Sequence, residues 1–240
     1  DTVEPSALPK VPGASAVLTL GARATRETIR LYPDTRLIAT MILDAGDIAG
    51  AANAGAVVLE FPLATQMQWM QKILPRHKTV GVLFSAEKSR AHIDEMRRVA
   101  AQLGLRLHAE AIATPQEIPD ALARLAKHAD VLWGIPDPMV LNAQTAETIL
   151  LFCMRNRIAF MAPSEVWVKA GALFALDRDY ADLGAQAAEL TAQVVRGAAP
   201  KSLPVATPRK VAYTVNLKAA RHLHIELDPK LIRDARRGYE

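Results

Sequence analysis

Between residues 78 and 184, short apolar runs of strand length alternate with longer runs whose apolar positions recur at helical spacing. No other feature of the chain restricts its fold as tightly. Thr79-Val80-Gly81-Val82-Leu83-Phe84 reads as a strand. It is followed by a helix over about 88–103, where Ile93, Met96, Val99, Ala100 and Leu103 share one face, and Gly104 is a natural stop. Further strands are expected at 105–111, 129–135, 158–162 and 173–176. The intervening helices are expected at about 114–127, 140–156 and 165–169, with a last one from Tyr180 to Arg196 ended by Gly197. Strands that alternate with helices imply a parallel sheet with right-handed crossovers.

The flanks are less regular. Residues 1–13 read as an irregular lead-in. Strands are expected at 16–20, 36–43 and 56–59, with helices at 22–31 and 65–74. Pro75 marks a boundary, so the division expected is a reduced N-terminal α/β lobe over 1–76, a C-terminal α/β lobe over 77–200, and a tail over 201–240 that crosses back toward the first lobe. In the tail, 202–205 and 211–215 look extended, 216–220 looks like a helical turn, and Asp228-Pro229 opens a short helix. A chain of 240 residues, half of them hydrophobic, can bury a sizeable core.

Composition removes several classes of function. The net charge of +4 is spread along the chain, and twelve aromatic residues are too few for base-stacking platforms, so no nucleic-acid partner is expected. No apolar run approaches the roughly 18 residues that span a bilayer. The single cysteine, Cys153, lies inside Ile149-Leu150-Leu151-Phe152-Cys153-Met154 and reads as a buried structural thiol. The signatures G-x-G-x-x-G, G-x-x-x-x-G-K-[ST] and G-x-S-x-G are missing. His222 and His224 form the one close histidine pair, with no third ligand indicated. No enzyme activity, cofactor or metal is expected.

In an open parallel sheet, ligands bind beyond the carboxyl ends of the strands. That rule selects Gly21, Ala22 and Asp44 in the first lobe, and Ser85, Ser89, Pro136, Asp137, Glu165 and Asp179 after the later strands. Each has two readings. Asp179, Asp44 and Glu165 are either helix caps or carboxylates for a ligand ammonium group. Ser85 and Ser89 sit at a helix start, where free N–H groups suit an anion.

Five segments together resemble the substrate-binding proteins of ABC importers, in particular the family with tryptophan- and tyrosine-binding members. They are Val80-Gly81-Val82 with its polar turn Ser85-Ala86-Glu87, Ile135-Pro136-Asp137, Ser164-Glu165 before Val168-Lys169-Ala170-Gly171-Ala172-Leu173, Asp179-Tyr180-Ala181-Asp182-Leu183-Gly184, and Val215-Asn216-Leu217-Lys218-Ala219-Ala220. The resemblance extends over roughly 17–235 and is weaker in the first lobe. It implies an α/β fold of two lobes, the periplasmic-binding-protein type I architecture, with parallel sheets flanked by helices. It also implies a small polar metabolite, an amino acid among the candidates, held between the lobes and delivered to a membrane permease. Asp179 would be the ammonium partner and Ser85 and Ser89 would lie near the carboxylate. A periplasmic or extracytoplasmic location is implied, with a leader removed beforehand. The family usually carries one more β-α-β unit before the strand at 16–20, so the first lobe is expected to be reduced. Arg178 stands beside Asp179 where the family has a small apolar residue. A sensor or partner-docking module that uses the reduced lobe as an interface, a homodimer among the options, is the alternative expectation.

Overall fold

A computed structural model describes the backbone of residues 14–240 and, within that range, all side chains except those of 86–90. The lead-in expected over 1–13 lies outside the described residues. Two compact units emerge, each assembled from separate stretches of chain. The first comprises the described residues up to Phe61 together with Arg178–Val211. The second comprises Pro62–Asp177 and Ala212–Glu240.

The first unit holds a three-stranded parallel sheet in the order β1 (Val17–Leu20), β2 (Leu37–Ile42), β3 (Ala54–Val58). Helix α1 (Ala22–Leu31) joins β1 to β2. Thr25 and Thr28 are the buried residues of α1, which packs on one face of the sheet. On the other face lies the long helix α7 (Tyr180–Val195), whose Leu183, Ala187, Leu190 and Val194 bury Ile38 and Val57. This packing, built from residues far apart in sequence, is why Arg178–Val211 groups with the first unit rather than with a contiguous 77–200 segment. Of the extended run expected at 202–205, Ser202 belongs to a 3-10 turn at Pro200–Ser202; Leu203 is extended, and the chain leads on to Ala206, which bridges Val57 in parallel.

The second unit is built on a seven-stranded sheet in the order β10-β9-β8-β7-β6-β4-β5. Its strands are β4 (Thr79–Ser85), β5 (Arg106–Ile112), β6 (Val131–Trp133), β7 (Ala159–Ala162), β8 (Phe174–Arg178), β9 (Val211–Asn216) and β10 (Arg237–Tyr239). The β4–β5, β4–β6, β6–β7, β7–β8 and β9–β10 pairs are all parallel. The helices are α2 (Leu63–Ile73), α3 (Ala86–Gln102), α4 (Ile118–Leu125), α5 (Ala146–Arg155), α6 (Glu165–Ala170), α8 (Leu217–His222) and α9 (Pro229–Asp234). One core layer unites Leu83, Leu122, Leu132, Ile149 and Phe160. Helix α2 belongs here by packing. Its Met67, Met70 and Ile73 are buried, and Trp69 lies against Tyr213 at a ring separation of 5.0 Å. The chain therefore passes between units at Phe61–Pro62, ahead of the boundary expected at Pro75.

Gly81 explains itself within β4. A Cβ there would sit 2.9 Å from the Cβ of Ala129 and 3.4 Å from a Leu125 methyl. The absent side chain lets α4 and its following turn close onto the strand.

Candidate functional site

Strand order locates the edge of the second unit where a ligand crevice is expected. From β4, one crossover leads through α3 to β5 on one side, and the next places β6 on the other side of β4. The chain thus reverses its direction of winding between β4 and β6. Such a switch point opens a crevice at the carboxyl ends of the two strands. Ser85 ends β4, and Pro136 and Asp137 follow β6, so three of the expected residues fall at this point.

What they do there is partly structural. Ser85 and Asp137 are each 2% exposed. The Ser85 N–H donates to Asp137 Oδ2 at 2.7 Å, and the Met139 N–H donates to Asp137 Oδ1 at 3.0 Å. The free amide at the start of α3 is therefore satisfied by the protein's own carboxylate. Ser85 is the N-cap of α3 without a side-chain capping bond. Pro136 is exposed. Ser89 lies in α3, and its side chain lies outside the described residues.

Glu165 opens α6 immediately after β7. Its Oε1 accepts a hydrogen bond from the Tyr239 hydroxyl at 2.5 Å and one from Arg237 at 2.9 Å. The Tyr239 hydroxyl first, and the charges of Arg237 and Arg236 after it, hold the Glu165 carboxyl below its ordinary range. Arg236 also meets Asp177 at 2.6 Å. The short strand β10 and Arg236 just before it thus bring two arginines and a phenol to Glu165 and Asp177. Sequence reasoning missed this strand. Arg237-Gly238-Tyr239 is only three residues with a central glycine, too short and too weak a strand former to stand out. Only the small basic cluster around Arg233, Arg236 and Arg237 signals it.

In the first unit, Gly21 and Asp44 follow the neighbouring strands β1 and β2. Gly21 has a φ of +90°, a conformation that glycine adopts without steric cost. Its carbonyl accepts from the Thr25 hydroxyl at 2.9 Å, and Thr25 in turn meets Thr19 at 2.9 Å. Ala22 begins α1 and is partly exposed. Asp44 caps a 3-10 turn at Ala45–Ile48 by accepting from the Gly46 N–H at 2.6 Å, and it is exposed.

Asp179 caps α7. Its Oδ1 accepts from the Asp182 N–H at 3.0 Å, while Lys210 Nζ lies 3.8 Å from Oδ2. The Asp179 side chain keeps 38% of its surface exposed. Arg178 turns to its own neighbourhood. Its Nε donates to the Leu59 carbonyl at 2.7 Å, and its guanidinium lies over the Phe61 ring at 5.2 Å. The neighbouring Asp182 is gripped by Arg209, whose two hydrogen bonds with it hold the carboxyl below its usual range.

The remaining titratable groups form no reactive centre among the described residues. Burial pushes the Cys153 thiol up to about 12, as befits an inert core thiol. His108 and His128, far apart in sequence, stack at 5.2 Å. His222 ends α8, and His224, two residues beyond it, takes a φ of +55°. No group of three His, Cys, Asp or Glu side chains is placed to hold a metal, and no helix is long and apolar enough to cross a membrane, among the described residues.

These features have counterparts. A family model described as ABC transporter substrate binding protein matches residues 35–238. Among solved structures, an ABC domain in complex with L-Trp from Streptococcus pneumonia is 22% identical at a TM-score of 0.66, covering 95% of this chain and 79% of its own. A conserved domain protein from Vibrio cholerae is 20% identical at 0.67, with 93% and 78% covered. The ligand-free, open structure of a substrate binding protein with adhesive properties from Clostridium difficile is 18% identical at 0.77, with 94% and 79% covered. At these identities the likeness establishes the fold, the type I periplasmic-binding-protein architecture. Comparison with curated protein sequences returns no match.

Proposed function

Because the chain belongs to the ABC transporter substrate-binding protein family, we propose that it captures a small polar metabolite on its strand-end loops and delivers it to a membrane permease from outside the cytoplasm. The observation that supports this reading best is the switch point between β4 and β6, with a helix start on one side and a polar loop on the other. An amino acid is the favoured solute, and Asp179 is the favoured ammonium partner. Glu165 is already occupied by Tyr239 and Arg237, and Asp137 by two backbone amides, whereas the Asp179 side chain is 38% exposed and its Oδ2 has only the long 3.8 Å ion pair with Lys210. Gly21, Ala22, Asp44, Ser85, Ser89 and Pro136 remain proposed contacts.

A thermal-shift screen of amino acids and other small polar metabolites tests this. A solute at about 100 times its dissociation constant adds roughly 2.7 kcal/mol of stability. Asp179→Asn keeps a good helix cap but removes the charge. It is expected to abolish the response to ligands with an ammonium group while leaving the unliganded melting temperature nearly unchanged. An unaltered response would remove Asp179 from the site, and no response at millimolar solute in the parent protein would defeat the capture reading.

A partner-docking role is favoured by a separate observation. Leu18 is 46% exposed, Leu20 66% and Val195 55%, on β1 and the end of α7. Leu18 and Val195 line one shallow apolar groove. Apolar surface of this kind marks protein contact sites.

A further inference from the structure

A cavity of about 620 Å³ opens in the second unit, where the end of α2 and the turn before β4 meet the connection from α8 to α9. It lies at the amino end of β4. That strand has seven residues, so at ~3.3 Å per residue the cavity is removed from the switch-point rim by roughly 20 Å. Nothing in the transport reading uses it.

The lining is divided by chemistry. Leu74, Leu223, Leu227 and Leu231 are buried and give an apolar floor. Lys72, Arg76 and His77 stand on the α2 side. Lys72 is fixed, with its Nζ 4.1 Å from the centre of the Trp69 ring. His77 lines the same wall; its Nδ1 is shielded even from water in the open cavity, so only the rest of the ring is within a ligand's reach, and burial holds the imidazole below its ordinary range. Of the two acids on the opposite side, Glu226 and Asp228, the second is spent on capping α9 through the Lys230 N–H at 2.7 Å. The wall itself is strained. His224 adopts the left-handed region where glycine is usual, as the Ile225 N–H reaches back to the Ala220 carbonyl at 2.9 Å.

We propose that this cavity is a second ligand site, separate from the strand-end rim, that takes a small apolar carboxylate. The aromatic or branched body rests on the leucine floor and the carboxylate meets Lys72, Arg76 and His77. An apolar cavity with a few convergent polar groups is the usual form of a small-molecule site.

Amide chemical-shift mapping of the full chain tests the assignment with two probes of the same body and opposite charge, phenylacetate and phenethylamine. Phenylacetate is expected to shift the amides of 72–77 and 223–228 in a saturable manner. Phenethylamine should bind at least about tenfold more weakly. The exposed pair Lys72→Glu and Arg76→Glu should weaken phenylacetate by about tenfold with the fold retained and the melting temperature lowered only slightly by loss of the Lys72–Trp69 contact, and Leu227→Trp, which fills the floor, should abolish binding. If the double variant is poorly folded, Arg76→Gln alone should still weaken it several-fold. Equal binding of both probes, equal binding by the variants, or no shifts at these amides would overturn the second site. Shifts confined to Ser85 and Asp137 would also overturn it, while leaving the capture reading in place.

Discussion

At the scale of single residues, the acids at the strand ends divide by what already holds them. Asp137 is a buried carboxylate whose two oxygens serve two backbone amides. Asp137→Ala leaves the Ser85 and Met139 N–H groups without that partner in a dry setting, and is expected to cost about 2 kcal/mol or more, read from chemical unfolding. Glu165 is held by Tyr239 and Arg237, so its carboxyl titrates below the ordinary value of 4.5. Its folded-state pKa lies beneath the unfolded one. The stability it contributes is therefore complete above about pH 4.5 and is lost as pH falls through the folded value. Tyr239→Phe is expected to lower stability in full above about pH 5, where that contribution is complete, and to have least effect below the folded value, so that stability falls less steeply through the acidic window. Capping by Asp44 and Asp179 was one of the two readings available from sequence, because a carboxylate before a helix has a local task. The partners of Asp137 and Glu165 were not legible. Apart from Met139, two positions from Asp137, they include residues 52 and 74 positions away, and nothing in local pattern encodes such long-range pairings.

At the scale of elements, periodicity carried the strands and helices of the second unit because each buries a face with its own repeat. The departures have local causes. Helix α5 begins at Ala146 rather than near Val140 because Asn142 and Thr145 tie a turn ahead of it. The Asn142 side chain accepts from the Gln144 and Thr145 N–H groups, and the Thr145 hydroxyl donates to the Val140 carbonyl at 2.6 Å. Helix α4 is preceded by a 3-10 turn, and Thr114 bonds the Glu117 side chain rather than capping the helix. Packing between elements also sets a demand on composition. A methyl group at position 81 would press into Ala129 at 2.9 Å, backed by Leu125. Gly81→Ala is expected to cost about 1–3 kcal/mol by overpacking. A compensating Ala129→Gly should restore part of the loss if the clash is the cause, as a double-mutant cycle would reveal.

At the scale of the whole molecule, the order of segments could be read from the chain, but their grouping into units could not. Grouping depends on which apolar faces meet, and α7 meets Ile38 and Val57, more than a hundred residues earlier. The first unit also carries the exposed leucines of β1. The Val17 and Gly21 N–H groups bond toward β2, so by strand alternation those of Leu18 and Leu20 point to the edge of β1 that no strand among the described residues pairs. Unprotected edges invite pairing with another chain. If a second copy uses this edge, light scattering will give a dimer mass at high protein concentration and Leu20→Lys will return it to the monomer. A monomer throughout would leave the docking role without its supporting surface.

The main chain crosses from one unit to the other at three places, at Phe61–Pro62, Asp177–Arg178 and Val211–Ala212. Neither unit can therefore be excised as a single stretch, and synthesis from the amino terminus finishes neither until its distant segment has emerged. The early strands β1 to β3 wait for α7 before Ile38 and Val57 are covered. During that interval the nascent polypeptide carries a half-built sheet, and its vulnerability to misassembly is greatest then.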